Sequence, residues 1–149
     1  MDLASFIETN SDSIVTGADI AIARRHLQNY EGSIPGVISA RLETLLRLAT
    51  RSIRERRVDG IEKYMEKITV ERFNAGFDLS EVQSAINVLE EAIWKLIMYE
   101  RSPAEQIEEL GLIGTVFGAA KDTLARTYAS LASARVVVTM NGSVTSDGP

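Results

Sequence analysis

Apolar residues recur at steps of three and four along nearly the whole chain, the period of an amphipathic helix rather than the alternation of a strand. The three prolines, Pro35, Pro103 and Pro149, stand where a helix can begin or at the last position. The pattern predicts an all-α fold of five helices. The first runs from about Asp2 to Asn29, with Leu3, Phe6, Ile7, Ile14, Ala18, Ala21 and Ile22 on one face. Thr9-Asn10-Ser11-Asp12-Ser13 is polar enough to interrupt it, but Ile14 and Ala18 continue the stripe of Leu3 and Ile7, which favours one continuous helix. Gly32 is its expected stop.

The second helix is expected from near Pro35, a residue suited to a first turn, to about Arg56, on a core stripe of Ile38, Leu42, Leu45, Leu46, Ala49 and Ile53. The third starts at Asp59 with Glu62 three residues on, an aspartate form of the capping box, and buries Ile61, Tyr64, Met65, Ile68 and Phe73 before Gly76 ends it. Asp78 and Glu81 repeat the box for the fourth helix, which runs to about Tyr99. Its stripe of Val82, Ile86, Leu89, Ile93 and Leu96 is widened by Ala85, Val88, Ala92, Trp94 and Met98, so this helix is expected at the centre of the bundle. The fifth begins at Ser102-Pro103-Ala104-Glu105 and continues to about Arg135. At 1.5 Å per residue it would span about 50 Å against roughly 30 Å for the second and fourth helices, and its end is expected to overhang the bundle. Residues 139–149 are small and polar and are expected to be disordered, leaving one domain over residues 1–138.

Composition narrows the chemistry. The 149 residues contain no cysteine, which excludes disulfides, thiolate metal sites and thiol nucleophiles. A formal charge of −5 gives no general attraction to nucleic acid. With neither a leader-like start nor a run of some twenty apolar residues, a cytoplasmic protein with no membrane partner is expected.

Candidate residues fall into four groups. Ile107, Leu110, Gly114, Phe117, Lys121, Leu124, Tyr128, Leu131, Arg135 and Val138 alternate steps of three and four, the spacing of a coiled-coil seam. They read either as the face packed on the bundle or, toward the end, as a homodimer interface of Leu124, Tyr128 and Leu131, with Trp94 and Met98 as a second contact surface. Gly111, Gly114 and Gly118 each cost about 1 kcal/mol relative to alanine inside a helix, which points to close helix packing or a pocket. His26, the only histidine, is a candidate haem ligand; a single histidine excludes a di-metal site built on two Glu-x-x-His pairs, and neither a metal nor any cofactor is expected. Arg47, Arg51, Arg54, Arg56 and Arg57 cluster at the end of the second helix, where they suit either the helix dipole or an anionic substrate. No catalytic constellation is found, and a non-enzymatic role is expected.

The stretch Arg72-Phe73-Asn74-Ala75-Gly76-Phe77-Asp78-Leu79-Ser80-Glu81-Val82, followed by Ala85, Leu89, Ile93 and Trp94, resembles the third-to-fourth helix junction of the RsbRD-type N-terminal domain of RsbT co-antagonists. Helix order and lengths from about Leu3 to Arg135 are similar as well. The resemblance implies an all-α sensory input module of bacterial stress-response signalling, related to globin-like input domains. It further implies a homodimer that passes its signal down the last helix to an output domain or partner protein. The family attaches such modules to an output domain, and none is expected within these 149 residues. Two other readings stand beside it: a globin-like bundle binding haem or a small molecule through His26, and a small helical enzyme using the arginines on an anionic substrate.

Overall fold

A computed structural model of the chain describes residues 1–26, 37–76 and 79–146; His26, residues 37–38 and residues 142–146 are described by their backbone alone. Among the described residues there are six helices and no strand: α1 (Leu3–Thr9), α2 (Ser11–His26), α3 (Val37–Glu55), α4 (Asp59–Asn74), α5 (Leu79–Glu100) and α6 (Pro103–Ser146).

The predicted first helix is two. Asn10 leaves helical geometry at φ −104°, ψ 12°, and its side-chain amide donates to the Phe6 carbonyl at 2.8 Å. That local bond competes with the helix ladder, as asparagine side chains tend to do. The apolar stripe survives the break: Leu3, Phe6, Ile7, Ile14, Ala18 and Ile22 are all buried. At the start of α1, Asp2 accepts the Ser5 amide at 2.8 Å, and this bond holds its carboxyl below the usual range.

Helix ends follow the sequence unevenly. Ser102 donates its hydroxyl to Glu105 at 2.7 Å and its backbone N–H to the same oxygen at 3.3 Å, so the reciprocal arm of the capping box at α6 is present. Gly76 takes φ +86° after α4, as a glycine stop requires. Asp59 is not a cap: Val58 occupies that position without a side-chain bond, and the Asp59 carboxylate accepts from Arg57 at 3.1 Å instead. Arg56 closes α3 at φ +56°, a conformation L-residues adopt at a cost of about 1–2 kcal/mol. The Asp78 cap and the Gly32 stop lie outside the described residues.

The core is one cluster drawn from α1, α2, α3, α4, α5 and α6. Helix α6 packs most extensively on α4 and α5, and α2 lies against α5 and α3. Phe117, Ile61, Ile86, Leu89, Ile93 and Ile97 are fully enclosed. Thr50, Thr69 and Thr123, buried on helices, satisfy their hydroxyls on the carbonyls four residues back. Residues 139–146, read from composition as disordered, continue α6; residues 147–149 lie outside the described residues.

Candidate functional site

Helix α6 changes character along its length. Its 44 residues correspond to about 66 Å, twice the span of α5. Ile113, Val116, Phe117, Ala120, Thr123 and Leu124 are buried in the bundle, Leu131 and Ala132 are half-buried, and every residue from Ser133 to Asn141 is exposed. Val136, Val137, Val138 and Met140 stand at 58%, 55%, 69% and 63% of full exposure. Four large apolar residues within five positions, spread over about 200° of the helix circumference, form a surface of the kind that marks an interaction site.

The predicted interface residues divide. Trp94 and Met98 are 46% and 44% exposed on α5, as an outer surface requires. Leu124 is 2% exposed and belongs to the bundle core, so it is not available to a second subunit. Tyr128 is half-buried, its ring meeting Phe73 of α4 edge-on at 5.3 Å. Ile107 and Gly114 lie at the exposed margin of the series, Phe117 and Leu124 on its bundle face; Val138, two heptads after Leu124 and within about 40° of it, is exposed because α6 has by then outrun the bundle.

The three glycines of α6 also differ from expectation. A Cβ added at Gly111, Gly114 or Gly118 would meet nothing within 4 Å, so none of them admits a closely packed helix among the described residues. The haem reading of His26 concerns a side chain outside the described residues, and no group of three or more potential metal ligands occurs among the described residues. Arg47, Arg51 and Arg54 are exposed and border one open surface hollow, which they share with the carboxylates of Glu8, Asp12 and Glu43. Arg54 pairs with Glu8 at 2.6 Å, lowering that carboxyl, and Arg51 pairs with Glu55 at 3.0 Å.

Two buried or half-buried arginine–glutamate pairs mark opposite ends of the bundle, and sequence reasoning singled out neither. Arg101, at the α5–α6 turn, binds Glu109 through two nitrogens at 2.9 and 3.0 Å, donates to the Met1 carbonyl at 2.8 Å, and lies 4.8 Å from the centre of the Phe6 ring. At the other end, Arg72 of α4 pairs with Glu81 of α5 across the Gly76 turn. Arg72 and Glu81 stand at the edge of a cavity of about 60 Å³ between α3, α4 and α5, walled by Leu42, Leu45, Met65, Ile68, Val82 and Ile86 and bordered by Arg41 and Tyr64. Phe73, the next residue after Arg72, touches Tyr128 and lies 4.3 Å beneath the Arg135 guanidinium, so α4 joins the edge of the cavity to the last part of α6 that packs on the bundle.

No family model, curated protein or solved structure matches the chain. Among the described residues, no helix is long and apolar enough to cross a membrane.

Proposed function

We propose that this chain is a non-enzymatic regulatory input module of the kind its Arg72–Val82 segment resembles, a cytoplasmic homodimer that transmits a stimulus along α6 to an output domain or partner protein. In this reading α1 and α2 act as one bent member of a five-helix, globin-like bundle, and α6 is the member that outgrows it. The observation that supports it is the exposed run Val136–Met140 on a helix whose line from Ile113 to Leu124 is buried in the bundle. An isolated helix gains little stability in water without tertiary packing, and burying each of these side chains against a partner would contribute about 1.5–3 kcal/mol at full burial. A second copy supplies an identical apolar run at the matching height, and a two-fold arrangement pairs them without leaving an open end. Trp94 and Met98 extend the same kind of surface onto α5.

A stimulus that altered the packing of α4 on α6 would reach the run through Tyr128 and Arg135, because both contact Phe73. Sedimentation equilibrium tests the reading. The wild-type chain should have a dimer's mass at micromolar concentration, and Val137→Glu should return it to a monomer with its far-ultraviolet helix signal retained. A monomeric wild type, or a Val137→Glu protein of unchanged mass, would refute it.

A further inference from the structure

The cavity between α3, α4 and α5 has a chemistry that the regulatory reading does not use. Its walls are aliphatic and thioether side chains: Leu42 and Leu45 from α3, Met65 and Ile68 from α4, Val82 and Ile86 from α5. About 60 Å³ is roughly the share of two liquid waters, most of the lining is apolar, and apolar cavities take up small apolar groups. The edge is different. Arg41, Tyr64, Arg72 and Glu81 line it, and three of these are charged, two positive and one negative. The Arg72–Glu81 pair balances itself. Arg41, half-buried beside it, makes no ion pair among the described residues. Burial raises the Tyr64 hydroxyl above its ordinary value, so at neutral pH it stays protonated and able to donate a hydrogen bond.

We infer that this cavity binds a short-chain monocarboxylate, its body of about two to four carbons among Leu42, Leu45, Met65, Ile68 and Val82 and its carboxylate at Arg41 and the Tyr64 hydroxyl. The volume sets the size of the apolar body, and Arg41, which forms no ion pair among the described residues, sets the charge. A dianion would place a second negative charge next to Glu81, and a longer chain would have to part α4 from α5. Entry of a ligand acts on the same α4 segment that carries Arg72 and Phe73. As the stimulus, this ligand depends on the relay proposed above; as a ligand, it does not.

Butyrate is the probe, with 1-butanol and octanoate as comparisons, followed by amide chemical shifts of the full chain in low-chloride buffer. Butyrate should bind saturably in the millimolar range, as a ligand of six heavy atoms allows, with shifts centred on residues lining α3, α4 and α5. Arg41→Gln, at a half-buried position, should weaken butyrate about tenfold and leave 1-butanol unchanged, with the far-ultraviolet helix signal retained. Ala85→Leu, which narrows the cavity, should weaken both. Octanoate should bind more weakly than butyrate. Linear, unsaturable shifts with butyrate, or saturable shifts that Arg41→Gln and Ala85→Leu both leave unaltered, would overturn the assignment. Saturable, Arg41-dependent binding in a chain that sedimentation shows to be monomeric would uphold the cavity as a site while refuting the dimeric relay.

Discussion

The two halves of α6 obey different physics. From Pro103 to about Ala132 the helix is fixed by the rest of the chain: a Ser102–Glu105 cap, the Arg101–Glu109 pair, Lys121 bonded to Glu90 at 2.8 Å, and a buried line from Ile113 to Leu124. From Ser133 to Asn141 no side chain is buried, and helical geometry persists on exposed Val136, Val137 and Val138, whose branched side chains give them only modest helix propensity. Identical backbone geometry is therefore held by burial in one half and lacks that support within the chain in the other. A helix that is well determined at one end and unsupported at the other is a natural carrier of a change in packing, because a shift at the supported end is cheap to express at the free one.

The largest expected contrast is between truncations in the two halves. Phe117→Ala should lower unfolding free energy by about 3–5 kcal/mol by opening a cavity in the core. Val137→Ala, measured in dilute monomer by chemical denaturation, should change it by less than about 0.5 kcal/mol. A comparable loss at both sites would erase the distinction. Next in size is the pair that anchors the front half. Arg101→Met leaves the 8%-exposed Glu109 side chain without its guanidinium and should cost about 2–3 kcal/mol, read as a drop in the denaturation midpoint.

Smaller and opposite in sign is Gly114→Ala. Nothing lies within 4 Å of the added methyl, so the substitution should stabilise the front half by about 0.8–1 kcal/mol. A loss of stability there would mean that another surface approaches the glycine face. The weakest effect is with acid. Asp2, Glu8 and Glu105 have carboxyls held below their ordinary values by the Ser5 amide, the Arg54 guanidinium and Ser102 respectively. The folded chain therefore binds fewer protons than the unfolded one in this range. Their stabilisation is complete above the unfolded values and is lost as pH falls through the lowered ones. Arg54→Gln should make the acid limb of a melting-temperature profile shallower.

The helices were legible because their core stripes are local: residues such as Leu42, Leu45, Leu46, Ala49 and Ile53 carry the 3.6 period within one segment, and each is buried. Asn10 was less legible, since an asparagine can continue a helix or, as here, turn its amide onto the Phe6 carbonyl. The small polar composition after Val138 predicted an ending that the backbone of α6 does not take. Candidate sites were harder still. The cavity depends on seven apolar residues from three helices, and the pairs Arg101–Glu109 and Arg72–Glu81 form across turns, at spacings of eight and nine that no single-helix pattern marks. Trp94 and Met98, read on the sequence as a second packing surface of a central helix or as a subunit contact, stand exposed, and the inward stripe of α5 is complete without them.

The rear half of α6 provides the decisive test. The sequence contains no cysteine, so Thr139→Cys creates a unique site for a spin label. Pulsed dipolar spectroscopy on that protein should give one narrow distance between labels, within about 40 Å, that weakens on dilution as the subunits part. A signal free of dipolar modulation at high micromolar concentration, from a protein whose helix content is intact, would contradict the dimer and the relay with it.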